Sequence, residues 1–183
     1  TFMKRVAEAF AQVKVGTPEM DLDCGPIVNK KQFERVNGFI EHAIASGVPL
    51  LARGTLADGI SKDGFFVAPA LFGAVPRDHR LACQEVFGPV LAAMPFTDEE
   101  DAVRLANDTE FGLVSGVWTE NGGRQARMAK RIQTGQVFIN CYGAGGGVEL
   151  PFGGMKRSGH GREKGFMALE EFSTIKTIVL HHG

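Results

Sequence analysis

Apolar side chains at Phe2, Val6, Ala9, Phe10 and Val13 recur at intervals of three and four, the stripe of one helical face, and Gly16-Thr17-Pro18 closes it. A loop over residues 17–27 leads to Asn29, whose side-chain oxygen suits a helix N-cap. Gln32 stands at the reciprocal capping-box position, and Phe33, Val36, Phe39, Ile40, Ala43 and Ile44 supply a buried face that ends at Gly47. Residues 48–52 read as a strand. Residues 64–69 and 71–75 are extended, aromatic-rich and broken by prolines, the pattern of edge or irregular strands, and 91–95 is another apolar run. Thr97-Asp98-Glu99-Glu100 reads as a capping box opening a helix through Val103, Leu105 and Ala106. Residues 113–119 read as a buried strand, 121–133 as a basic helix, 136–140 as a strand, 163–172 as a short helix and 175–180 as a β-branched terminal strand.

Strands alternating with helices predict an α/β fold with a mainly parallel sheet and flanking helices, because parallel strands need crossovers. No internal repeat or second domain is evident. The expected division is one body over residues 1–172, followed by the terminal strand over 173–183. Charge narrows the partners: 20 Lys plus Arg against 21 Asp plus Glu give a net charge of -1 with the signs interspersed. A phosphate backbone calls for a clustered basic face instead, so no nucleic-acid partner is expected. No apolar run approaches the roughly 20 residues of a membrane span, and no secretion signal opens the chain. Cys24, Cys83 and Cys141 are odd in number and far apart, which fits reduced thiols in the cytoplasm and offers no zinc-ligand spacing. Thr1 stands where a gene product would begin with Met, a hint that the chain starts inside a longer protein.

The segment from Cys141 to Gly161 is glycine-rich and has neither period. Such a segment is either a flexible surface loop or a place where backbone approaches something closely. Gly143-Ala144-Gly145-Gly146-Gly147 follows a strand, but Pro151-Phe152 follows in turn, so no helix is there to cradle a phosphate. In Gln84-Glu85-Val86-Phe87-Gly88-Pro89-Val90 a carboxylate sits beside an aromatic ring and a turn. That pair could accept ribose hydroxyls and pack on a flat heterocycle, or be a solvated Glu next to a core Phe. Cys141 is the best placed thiol for nucleophilic work, yet no His–Asp pair accompanies it, and a free Cys is commonly a small buried hydrophobe.

Four blocks in order carry a resemblance: residues 84–90 as quoted; Leu105-Ala106-Asn107-Asp108-Thr109-Glu110-Phe111-Gly112-Leu113; Gly135-Gln136-Val137-Phe138-Ile139-Asn140; and Pro151-Phe152-Gly153-Gly154-Met155-Lys156-Arg157-Ser158-Gly159-His160-Gly161-Arg162-Glu163. They resemble the NAD(P)-dependent aldehyde dehydrogenase superfamily, from end to end of this chain but only over the carboxyl-terminal part of such an enzyme's catalytic domain. Cys24-Gly25-Pro26-Ile27 is similar to the family's turn before a long helix.

The resemblance implies oxidation of an aldehyde to a carboxylic acid with NAD or NADP through a cysteine thiohemiacetal and thioester, the nucleophilic Cys and base Glu lying upstream. No catalytic residue is then expected here, and the chain alone should be inactive. By the same resemblance Glu85 would bind the nicotinamide ribose and Phe87 would pack nearby. Phe152 would line the aldehyde tunnel. Residues 142–149, with Tyr142 and Ala144 as substrate contacts, would shape its mouth. The terminal strand would join subunits of a homodimer or homotetramer. Two other readings stay open: a non-catalytic binding or oligomerisation module of the same fold, and a Cys141-dependent acyltransferase or hydrolase.

Overall fold

A computed structural model describes residues 1–143 and 147–183. The chain gathers into two compact units, Thr1–Phe96 and Thr97–Gly183. Each closes on its own apolar cluster.

In the first unit the helices are α1 (Phe2–Phe10), α2 (Lys30–Ala45) and α3 (Arg80–Cys83), with one 3-10 turn at Pro18–Met20. The strands are β1 (Lys14–Val15), β2 (Leu50–Arg53), β3 (Thr55–Leu56), β4 (Ala70–Phe72) and β5 (Val90–Ala92). Helix α2 forms as its sequence predicts: Asn29 Oδ1 accepts from the Gln32 N–H at 2.9 Å, and Val36, Phe39, Ile40 and Ala43 are buried against Val67, Ala70, Phe72 and Val75. The spacing of three and four among those positions is what turns one helical face to the sheet. The proline-flanked segment departs from expectation. Its strand β4 is no edge: it lies between β2, antiparallel, and β5, parallel, with all three residues buried. The prolines do not prevent this because Pro69 and Pro76 stand outside the ladder and remove no donor from it.

The second unit holds α4 (Glu99–Asn107), β6 (Phe111–Gly112), β7 (Val114–Val117), α5 (Gly122–Arg131), β8 (Gln136–Ile139), β9 (Met155–Lys156) and α6 (Met167–Glu171). Strands β7 and β8 run parallel with α5 as their crossover, and Val103, Met128 and Ile132 form the small core. Among the described residues three of the five strand pairings are parallel, so the fold is the α/β arrangement expected, built of short ladders that are parallel in majority. The α4 cap sits one residue later than predicted. Asp98 accepts from the Asp101 N–H at 2.8 Å, and Asp101 in turn accepts from the Thr97 N–H at 3.1 Å. Residues 113–119 are not a fully buried strand, since β7 is half-buried and Trp118 is 64% exposed. Residues 173–183 carry no strand pairing. Ile175 is 98% exposed, and among the described residues none pairs with it in a ladder. No helix among the described residues is long and apolar enough to cross a membrane.

Helices α4 and α5 are clamped by charge. Arg127 forks onto Glu99 at 2.6 and 2.7 Å, Arg124 adds a bond at 3.2 Å, and Arg131 pairs with Glu100. The hydrogen bonds from Arg127 hold the Glu99 carboxyl at about 2, below its ordinary 4.5. A carboxyl held low in the folded state stabilises it above pH 4.5, and that contribution is lost as pH falls from 4.5 toward 2. Acid should therefore loosen α4 and α5 in that window. Glu99→Gln should flatten the pH dependence there, read as thermal unfolding against pH; an identical slope in wild type and variant would contradict the clamp.

Candidate functional site

The segment carrying Glu85 and Phe87 leaves α3 at Cys83 and is drawn onto α2. Gln32, Arg35 and Val36 stand at positions i, i+3 and i+4, hence on one helical face. The Gln32 side-chain amide donates to two successive carbonyls, Val86 O at 2.9 Å and Phe87 O at 2.8 Å. Arg35 donates to Glu85 O at 2.5 Å. Gly88 has no side chain because none would fit: a Cβ there would stand 2.4 Å from Cγ2 of Val36. Three consecutive carbonyls thus bond α2, and the chain turns sharply. Phe87 takes a left-handed φ of 56°, a conformation that costs a non-glycine residue roughly 1–2 kcal/mol. The held backbone leaves the Glu85 side chain exposed, and turns the Phe87 ring outward at 72% exposure. A held backbone thus carries an exposed carboxylate beside an open aromatic face rather than a core Phe.

Gln32 was expected to cap α2 reciprocally and instead reaches this loop; Arg35 was not singled out at all. Their helical spacing was legible, but the partner loop lies some 50 positions away in sequence and nothing local points to it.

Phe152 and Tyr142 belong to the second unit and rest on different supports. Phe152 is half-buried, paired through both backbone groups with Glu163 at 2.7 Å, and its ring faces the Lys164 ammonium at 5.8 Å. Tyr142 is 63% exposed and packs on Phe138 of β8 with ring centres 5.9 Å apart. Ala144, the remaining predicted contact, lies outside the described residues. The glycines around Phe152 serve close backbone approach: a Cβ on Gly135 would fall 1.6 Å from Gly153 O. The two longest sequence blocks interlock here. Lys156 donates to Asn107 O at 2.8 Å and Thr109 O at 3.0 Å, the Arg157 N–H to Glu110 O at 2.9 Å, and the Gly112 N–H to Ser158 Oγ at 3.0 Å. Among the described residues no group of three or more His, Cys, Asp or Glu side chains is set to hold a metal, and Cys141 is an exposed free thiol.

Against known proteins, residues 1–178 match the model of the aldehyde dehydrogenase family. The chain is 37% identical over 183 residues to a betaine aldehyde dehydrogenase of Rhizobium leguminosarum and 39% identical over 185 residues to one of Brucella anthropi. All of this chain is covered, but only 37% and 38% of those relatives. A Burkholderia cenocepacia structure assigned to the aldehyde dehydrogenases superposes with a TM-score of 0.92 at 57% identity, over 98% of this chain and 38% of that one. A Mycobacterium tuberculosis aldehyde dehydrogenase complexed with NAD+ superposes at 0.88 and 36% identity, over 99% and 37%. The chain belongs to the aldehyde dehydrogenase family, and it spans little more than a third of the length of these relatives.

The loop geometry makes its own prediction. Gln32→Ala leaves two carbonyls without their donor, which should cost about 1 kcal/mol, since water can replace part of the loss. It should also speed amide exchange across residues 84–88. Unchanged protection of those amides would show that the loop is held by something other than α2.

Proposed function

We propose that this chain is the carboxyl-terminal part of the catalytic domain of an enzyme that oxidises an aldehyde to a carboxylic acid with NAD+ or NADP+. The observation that carries the reading is the Glu85–Phe87 loop. An exposed carboxylate with room for two acceptor bonds fits the vicinal hydroxyls of a ribose, and an open ring beside it fits a flat heterocycle. The dinucleotide supplies hydride acceptance. The task of this chain is to hold Glu85 and Phe87 still, so that the ribose is oriented before reaction and little ordering remains to be done at the barrier. A cysteine nucleophile that forms the thiohemiacetal and thioester, and the glutamate that activates water, are assigned to the part of the enzyme upstream of this chain.

Phe152 and Tyr142 are assigned to the wall of the aldehyde site, with Ala144 at its mouth. Two of the relatives carry the name betaine aldehyde dehydrogenase, yet the Lys164 ammonium already faces the Phe152 ring. A quaternary ammonium seated there would meet a like charge instead of a vacant aromatic face. We therefore read the substrate as an uncharged aldehyde. Residues 173–183 are assigned to pairing between subunits of a dimer or tetramer, which would supply the ladder partners that the described residues do not. Three free cysteines suit a cytoplasmic enzyme.

Extended upstream to its full gene product, the protein should reduce NAD+ or NADP+ in the presence of aldehyde, while the 183-residue chain should not; turnover by the chain alone, abolished by Cys141→Ser, would contradict this reading. In the longer enzyme Glu85→Gln should weaken cofactor binding by roughly tenfold, the value of one charge-assisted acceptor, and leave aldehyde selectivity alone. Octanal should be preferred over betaine aldehyde by kcat/KM, and Lys164→Gln should narrow the preference. A wild-type enzyme that favours betaine aldehyde would refute the uncharged substrate.

A further inference from the structure

One turn before the cofactor loop sits an imidazole that the scheme above does not use. His79 is the N-cap of α3, with Nδ1 accepting from the Leu81 N–H at 3.1 Å. Its carbonyl accepts from Ala82 and Cys83 at 2.9 and 3.1 Å, and Gln84 closes the turn onto Arg80 O at 2.9 Å. The Gln84–Phe87 segment therefore leaves directly from the turn that His79 starts. An imidazole whose Nδ1 accepts must carry its proton on Nε2 and be neutral. That Nε2 is buried and, among the described residues, has no hydrogen-bond partner, so no base shares its proton. The titratable and charged groups facing it are His42 from α2, with ring centres 5.1 Å apart, and Asp78 and Arg80 from its own segment. Burial, His42 and Arg80 favour the neutral form, outweighing Asp78, and hold the ring below its ordinary 6.5.

We propose that His79 is a positioning residue for the Glu85–Phe87 loop, its neutral ring fastening the turn from which the loop departs and its protonation releasing that turn. Protonation places a hydrogen on Nδ1, removes the only lone pair facing the Leu81 N–H, and opposes two donors to each other. Since the ring titrates below 6.5, the cap is complete above that pH and is lost as pH falls beneath it. The loop then keeps its bonds to Gln32 and Arg35 but loses its anchored start. This rests on the assignment of the loop to the cofactor.

The test is made on the full-length enzyme. Hydrogen exchange of the peptide spanning residues 80–87, corrected for the intrinsic pH dependence of exchange, and the NAD+ dissociation constant are followed from pH 7.5 down to 5. In the wild type, protection should fall and the dissociation constant rise together, each by roughly three- to tenfold, the worth of one helix cap. In His79→Asn, whose side-chain oxygen caps without titrating, both should stay level; His79→Ala should show the low-pH values at every pH. Protection that ignores pH in the wild type overturns the proposal without need of any variant. Protection that falls while NAD+ affinity holds overturns the positioning role and leaves the cofactor assignment standing. Absence of NAD+ binding at pH 7.5 with protection intact overturns the cofactor assignment, and this proposal with it.

Discussion

The carboxamide of Gln32 decides where the candidate site stands. It has two hydrogens, and both are given to consecutive carbonyls of one loop. Those carbonyls can point the same way only if the backbone between them turns, and the turn places Phe87 in the left-handed region. The strain there is of the same order as the bonds that oppose it, so the loop is held by a small balance and not by a large surplus. Gly88 makes the approach possible, since any side chain would collide with Val36. Asn29, by ordering the first turn of α2, sets the helix from which Gln32 and Arg35 reach. The exposed Glu85 side chain is thus the end of a chain of constraints that begins with a helix cap more than 50 residues earlier.

The second unit is organised differently. Its hydrophobic core is small, and much of its order comes from polar bonds between two stretches that are distant in sequence, residues 107–112 and 156–158. Lys156 spends its ammonium on two backbone carbonyls, which is structural work for a group that sequence alone would place in solvent. Close approach of backbone supports Phe152 as well. A Cβ on Gly153 would fall 2.3 Å from Gly161 O, and one on Gly135, ahead of the glycine-rich stretch, 1.6 Å from Gly153 O, so main chain lies on main chain next to Phe152.

Much of this was legible in the sequence because it is local. The Asn29 cap, the buried stripe of α2, the α5 crossover and the strand after it follow from side-chain periods and cap chemistry within a few residues. What escaped is set by tertiary contact. Strand β4 reads as an edge from its flanking prolines and is central because β2 and β5 reach it on either side. The α4 cap shifts by one residue because Asp98 and Asp101 both accept backbone hydrogens where Thr97 and Glu100 were expected. Residues 175–180 have the composition of a strand and no ladder partner among the described residues. At the site, Glu85 and Phe87 were found through a family resemblance. Gln32 and Arg35, which hold their backbone, and His79, which caps the turn before them, were not, because each acts on a backbone carbonyl or amide that leaves no signature in sequence.

The central claim is that the Phe87 ring and the Glu85 side chain form the ribose end of a dinucleotide site. Saturation-transfer NMR on the full-length enzyme, with phenylalanine rings selectively irradiated and NAD+ in exchange, reads this directly. The account predicts strong transfer to the protons of the nicotinamide ribose, lost in Phe87→Leu while binding persists. Transfer confined to the adenine end, or undiminished in Phe87→Leu, would contradict it.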